Sequence, residues 1–201
     1  MALSGKTIGM FVDFAYEDLE VHYPLIRLKE EGAAVWLISI KPAGALTYTG
    51  KHGYPCKSTH CIDDVTSSQL DALILPGGFA PDYMRRSAAM LKVVSEMVAV
   101  AKPVAAICHG PWMLCSARGA DGKPVINGVT CTGFVAIKDD VVNAGGVWCD
   151  EAVVNDRNII TSRTPHDLTP FCKALIAAIA GAEVGSEKHD YQFEAVVART
   201  G

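Results

Sequence analysis

Apolar runs rich in β-branched residues alternate along this chain with segments of helical period. Lys6 to Phe14 is apolar nearly throughout, the pattern of a strand covered on both faces. From Glu17 to Glu31, apolar residues recur at Leu19, Tyr23 and Ile26 and at Val21, Leu25 and Leu28, with Gly32 as a stop, and predict a helix. Ala34 to Ile40 reads as a second strand. Strand, helix and strand in such quick succession form a βαβ unit, so the sheet should be parallel. Between Lys41 and Asp64 the pattern is broken by Pro42, Gly44, Gly50, Gly53 and Pro55 into short pieces, with a small hairpin expected there. Asp71 to Leu75 is the next buried strand and runs into Pro76, Gly77 and Gly78. A helix over about 82–100 follows, then a strand from Val104. Val129 to Thr132, Val147 to Asn155 and Ile159 to Ser162 predict later strands, with helices over about 135–144 and 166–179. With no internal repeat and no linker, residues 1–181 are expected to form one α/β domain with a mostly parallel sheet. The tail, 182–201, is more polar except for Phe193 to Ala198, which is expected to dock on the body or on a neighbouring subunit.

Composition narrows the class. Of 201 residues, 50% are hydrophobic and 20% charged, as in a folded globular protein with a substantial core. A net charge of −4 gives a nucleic-acid partner no electrostatic support. No apolar stretch approaches the roughly 18 residues needed to span a bilayer, and the first residues lack a signal pattern, so a cytoplasmic protein without a membrane partner is expected. The seven cysteines, at 56, 61, 108, 115, 131, 149 and 172, are odd in number and scattered, which argues for free thiols.

One of those thiols is placed for chemistry. The strand from Val104 to Ile107 runs directly into Cys108, His109 and Gly110, with Pro111 at a first helical position. A turn residue there projects at the carboxyl end of the sheet, where the next helix offers free N–H groups that favour a thiolate. Cys108 is therefore the candidate nucleophile and His109 a base beside it. In an open α/β sheet the segments after the strands meet along one edge. That edge brings in Glu17, Gly77 and Gly78, and the stretch from Arg163 to Asp167 with His166. Glu17 is the candidate carboxyl beside the sulfur, which leaves Asp18 and Glu20 as surface charges at a helix start. The backbone N–H groups of Gly77, Gly78 and His109 would hold an oxyanion. His166 is a further candidate base, with an exposed helix-start residue as the plainer reading. His52, Cys56, His60 and Cys61 lie close in sequence but lack the paired spacing of a structural zinc site, so no metal and no cofactor is expected.

These residues resemble the ThiJ/PfpI superfamily, and within it the PfpI subfamily of peptidase-like and deglycase-like proteins. The resemblance spans roughly residues 6–180. It rests on Tyr16 to Glu20 with Tyr23-Pro24, on Thr49 to Tyr54, on Leu75 to Gly78 with Ala80-Pro81, on Lys102 to Pro111, and on Ile137 to Asp140 with Asn143 to Gly145. It implies a flavodoxin-like three-layer α/β sandwich, with helices on both faces of the sheet, of the kind found in class I glutamine amidotransferase domains. It also implies Cys108 as nucleophile, Glu17 as its carboxyl, His109 as its imidazole and a dimer or hexamer of identical chains. In that subfamily an acidic residue of a neighbouring subunit completes a triad. Here the position is Asp82, one methylene shorter than the usual Glu. The implied activity is on reactive carbonyls or glycated groups, of glutathione-independent glyoxalase or deglycase type. The alternatives are a cysteine peptidase completed by Asp82 across subunits, a stress-response protein sensing through oxidation of Cys108, and, less supported, isocyanide hydration.

Overall fold

In a computed structural model, described over residues 1–182, the chain opens with β1 (Thr7–Phe11), α1 (Asp18–Glu30) and β2 (Ala34–Ser39). A hairpin of β3 (Thr47–Thr49) and β4 (Pro55–Lys57) follows, then the short edge strand β5 (His60–Cys61). β6 (Ala72–Leu75) leads through α2 (Ala80–Met84) and α3 (Ala88–Ala99) to β7 (Val104–Ile107) and α4 (Pro111–Ser116). The remainder is β8 (Thr130–Cys131), α5 (Lys138–Asn143), β9 (Val147–Trp148), β10 (Val153–Asp156), β11 (Ile159–Ser162) and α6 (Leu168–Ala180).

Seven strands make the main sheet, in the order β10-β11-β7-β6-β1-β2-β5. All its pairs are parallel except β10 with β11. The chain steps from β1 to β2 in one direction, then returns past β1 to β6 and continues to β7. Right-handed crossovers with opposite steps put α1 and α3 on opposite faces, which gives the flavodoxin-like three-layer sandwich. The strands are buried on both sides, as their continuous apolar runs require: Ile8, Met10, Phe11, Leu73, Ile74, Val104, Ile107 and Ile160 are completely buried. Register keeps the carboxyl ends level, with Leu75 opposite Ala106 and Ile107 opposite Ser162.

Several expected boundaries move. β1 stops at Phe11 rather than Phe14, and the chain turns where Asp13 accepts the Phe14 N–H at 2.7 Å and Ala15 takes φ +56°. The helix expected over 82–100 is broken at 85–87, where Ser87 caps α3 by accepting the Met90 N–H. The strand expected over 147–155 divides: β9 pairs with β8 in a separate two-stranded sheet, and β10 joins the main one. α1 keeps its expected span but is rotated, with Leu19 and Ile26 more than half exposed and Asp18 and Glu20 buried. No described helix is long and apolar enough to cross a membrane. Residues 183–201, with the expected docking of Phe193 to Ala198, lie outside the described residues.

The tightest packing in the sheet edge is at Gly110, where a Cβ would overlap the Leu75 carbonyl oxygen and come within 2.9 Å of the Ile107 carbonyl oxygen. Both obstacles are strand backbone and neither can withdraw. Gly110→Ala is therefore expected to lose about 3 kcal/mol or more of stability, read as a lower urea midpoint with unchanged slope.

Candidate active site

The junction of β7 and α4 is held in an unusual backbone shape. Cys108 has φ +60°, a left-handed conformation that costs a non-glycine residue on the order of 1–3 kcal/mol. Three hydrogen bonds hold it there: the Cys108 N–H donates to the Ser162 carbonyl at 3.0 Å, the Phe134 N–H donates to the Cys108 carbonyl at 2.9 Å, and the Gly110 N–H donates to the Ile107 carbonyl at 2.8 Å. Cys108 is 7% exposed, with Sγ 3.2 Å from His109 Nδ1. The backbone N–H groups of Gly78 and His109 act on the sulfur and favour its anion. The His109 ring in turn lies against Phe134, 5.0 Å between centroids, and edge-on to Trp112 at 5.2 Å.

The carboxyl beside the sulfur is that of Glu20, not of Glu17. Glu20 is completely buried; its Oε2 accepts the Gly77 N–H at 2.7 Å and its Oε1 makes no hydrogen bond with any described residue. A Cβ on Gly77 would come within 2.8 Å of Cys108 Cβ, Glu20 Oε2 and the His109 nitrogen at once. That triple approach is why glycine stands there, and it fixes how closely the three groups meet. The helix reading took Leu19 and Ile26 as part of the buried face. Val21 and Leu28 are completely buried, as their spacing predicts, and the buried face also takes in Asp18, Glu20 and Pro24, which places an acid four residues before Pro24 where the pattern calls for apolar contact.

Glu17 and Asp18 do other work in the same turn. Glu17 caps α1, with Oε2 accepting the Glu20 N–H at 3.0 Å, and its Oε1 is 3.7 Å from His52 Nε2. Asp18 is buried and accepts the N–H groups of His52 and Tyr54, both at 2.8 Å, so it holds the loop from Gly50 to Tyr54 against the site. The segment 15–17 is pinned to the Gly77-Gly78 turn by the Glu17 N–H to Gly77 carbonyl bond at 3.2 Å and the Phe79 N–H to Ala15 carbonyl bond at 2.8 Å.

Other expected site residues lie apart from this group. Asp82 is on α2, its side chain about half exposed and ion-paired with Arg86 of the same chain. His166 stands exposed in the turn 165–167, beside Asp167, whose carboxylate takes two hydrogen bonds from Arg163. His60 is stacked on Trp36 at 3.9 Å, away from His52, and no group of three or more His, Cys, Asp or Glu among the described residues is arranged to hold a metal ion.

Burial governs the protonation of the site. It pushes the Glu20 carboxyl up to about 8, aided by the Glu17 charge, and outweighs the opposing Gly77 N–H bond. Burial and the Glu20 charge also push the Cys108 thiol up, against the two N–H groups that favour its anion. The low thiol pKa expected from the helix start is thus reversed by desolvation. His109 is held below its ordinary value by burial and by Lys51. At neutral pH the site holds a carboxylic acid, a thiol and a neutral imidazole.

This ordering has a stability signature. Glu20 loses its proton near 4.5 in the unfolded chain and near 8 in the fold, so between those values the folded protein holds the extra proton. The associated stabilisation is full below about pH 4.5 and is lost as pH rises through about 8. Wild type is expected to lose several kcal/mol more than Glu20→Gln across that interval, on the order of the shift times ~1.4 kcal/mol per unit. Urea unfolding at stepped pH measures both.

Comparison with known proteins agrees with this architecture. The DJ-1/PfpI family pattern matches residues 6–178. Deglycase PH1704 of Pyrococcus horikoshii is 42% identical over 161 residues, 80% of this chain and 92% of its own. YraA of Bacillus subtilis, whose name assigns it provisionally to the cysteine proteases, is 39% identical over 166 residues, 83% of this chain and 94% of its own. A two-domain protein of Anabaena variabilis with DJ-1/ThiJ/PfpI-like and ferritin-like domains superimposes with a TM-score of 0.82 at 34% identity. The match covers 94% of this chain and 52% of that protein, so this chain spans about half its length. Fold, elbow and family pattern coincide over the same residues, and the chain belongs to the DJ-1/PfpI family.

Proposed function

We propose that the protein is a cysteine-dependent enzyme acting on reactive carbonyls, of glutathione-independent glyoxalase or deglycase type, with Cys108 as nucleophile. The observation that carries this reading is the buried Glu20 acid against the Cys108 sulfur, which pairs a nucleophile with a group able to give and take a proton at neutral pH. The deglycase names of relatives support it.

In this mechanism the Cys108 sulfur adds to the aldehyde carbon of a 2-oxoaldehyde while the neutral His109 imidazole takes the thiol proton. The Gly78 and His109 N–H groups hold the new alkoxide. Glu20 protonates that oxygen and is left as a carboxylate, which removes the hydrogen from the thiol-bound carbon to give an enediolate. Glu20 returns the proton to the neighbouring carbon as the hydroxyl proton passes to the second oxygen, giving a thioester of a 2-hydroxy acid. Water then adds at the thioester carbon and gives one proton to the Glu20 carboxylate; the carbon–sulfur bond breaks as the His109 imidazolium returns its proton to the sulfur, so that the acid leaves and all three groups are restored. The balance is one oxoaldehyde and one water to one 2-hydroxy acid, with no external oxidant or reductant. On a glycated amine or thiol the Cys108 sulfur replaces the amine or thiol at the hemiaminal or hemithioacetal carbon: the carbon–nitrogen or carbon–sulfur bond of the adduct breaks, the leaving group takes the proton that His109 drew from Cys108, and the later steps are the same.

Two rival readings separate by experiment. The peptidase reading shares the 3.2 Å contact of sulfur and imidazole and requires Asp82 of a neighbouring copy to reach His109. The redox reading assumes an exposed, low-pKa thiol, whereas Cys108 is buried and its thiol raised.

Lactate formation from methylglyoxal without glutathione is expected for the reduced protein and is lost in Cys108→Ala. Glu20→Gln should lower kcat/KM by about 100-fold or more, and Glu17→Gln by less than about 10-fold. The profile of kcat/KM against pH should rise as His109 becomes neutral, below the usual histidine range, and fall as Glu20 ionises near 8. Activity unchanged in Cys108→Ala, or a larger loss in Glu17→Gln than in Glu20→Gln, contradicts the assignment. Hydrolysis of a fluorogenic peptide with no lactate formed transfers the case to the peptidase.

A further inference from the structure

A second crevice opens on the same carboxyl edge of the sheet, over the ends of β1 and β2 and against the turn between α2 and α3. It encloses about 470 Å³, the size of a small-molecule site, and none of Cys108, His109 and Glu20 lines it. Asp13 forms part of its lining and is 4% exposed. One carboxylate oxygen accepts the Phe14 N–H at 2.7 Å; the other, Oδ2, is buried and makes no hydrogen bond with any described residue. Tyr48 lies next to it with its ring 5.0 Å from Phe14, and its buried hydroxyl faces Ser39 without a hydrogen bond of ordinary geometry. Burial pushes the Asp13 carboxyl up, against the Phe14 N–H and the cations Arg86 and Lys41, which are exposed at the rim together with one acid, Asp63. Phe14 and Tyr83, each 43% exposed, give it aromatic walls.

These groups ask for complementary ones in an order. A buried carboxylate with one unpaired oxygen calls for a donor, and a cationic donor offsets its desolvation better than a neutral one. Exposed guanidinium and ammonium groups at the rim call for an anion, and Arg86 already grips a carboxylate in Asp82 through one of its nitrogens, with further donors to spare. Aromatic walls between the two call for an apolar group. We propose that this crevice binds a free α-amino acid with an apolar side chain, taken as its zwitterion: the ammonium on Asp13, the carboxylate on Arg86 and Lys41, and the side chain between Phe14 and Tyr83.

The test is isothermal titration of the full chain with L-leucine and L-phenylalanine, beside 2-hydroxyisocaproate, which has a hydroxyl for the ammonium, and isoamylamine, which lacks the carboxylate. One site per chain is expected, with Kd at or below about 1 mM for the amino acids and at least about tenfold weaker binding for the other two. Asp13→Asn and Arg86→Gln should each weaken L-leucine about tenfold or more, with circular dichroism and melting temperature confirming the fold. Cys108→Ala should bind as wild type does. Absence of saturation up to about 10 mM, undiminished binding in a folded Asp13→Asn or Arg86→Gln, or loss of binding in Cys108→Ala overturns the proposal. The hydroxy acid binding as tightly as L-leucine overturns the ammonium assignment, and with it the amino acid as ligand.

Discussion

A carboxyl group kept from water against a thiol is the constraint to which the rest of the site answers. Glu20 is buried under the sheet edge with a single backbone donor, the Gly77 N–H, on the oxygen that faces the Cys108 side chain across that glycine, and its other oxygen has no hydrogen bond among the described residues. Such a group is stable there only as the neutral acid, and only if nothing intrudes between it and the sulfur. Gly77 meets the second condition by having no side chain, and the pairing of 15–17 with 77–79 holds that glycine in place. Because desolvation raises the acid and the thiol together, the imidazole of His109 becomes the natural proton acceptor, its own basicity lowered by the same burial.

The sheet supplies what local sequence alone does not. Cys108 sits in a strained conformation that its own residue type disfavours, and three hydrogen bonds, to β11, to the loop before α5 and within the elbow, hold it there. Level strand ends let segments from residues 15–20, 77–78 and 108–109 converge. The order of strands, with β1 between β2 and β6, leaves crevices on that edge, and the thiol occupies only one flank.

Much of this is written locally and was legible. Continuous apolar runs marked β1, β2, β6, β7 and β11, and the strand-to-helix turn marked Cys108, because each signal lies within a few adjacent residues. The choice of carboxyl was not local. Glu17, Asp18 and Glu20 all suit a helix start, so the macrodipole ranks none above the others, and only the phase of α1 against the sheet decides which one turns inward. Val21 and Leu28 are buried as an amphipathic helix requires, whereas Leu19 and Ile26 lie on the solvent side and Glu20 on the buried side. The regular i, i+4, i+8 row of Glu20, Pro24 and Leu28 was the available signal. The break at Ser87, a good capping residue, was also in view, whereas the crevice at Asp13 draws on three separate strand ends and had no sequence signature.

The loop from Gly50 to Tyr54 is fastened to the site through Asp18, and both bonds go to main-chain nitrogens, those of His52 and Tyr54. The Lys51 side chain is not among the groups that fasten it, which are these two nitrogens, the His52 imidazole near Glu17 and the Tyr54 ring against His22. The rim near the thiol can exchange its chemical character, from the Lys51 ammonium to an acid or an apolar group, while its outline stays the same. Selectivity and architecture are thus uncoupled at this rim, which gives one scaffold room to diversify its substrates without rebuilding the machinery beneath.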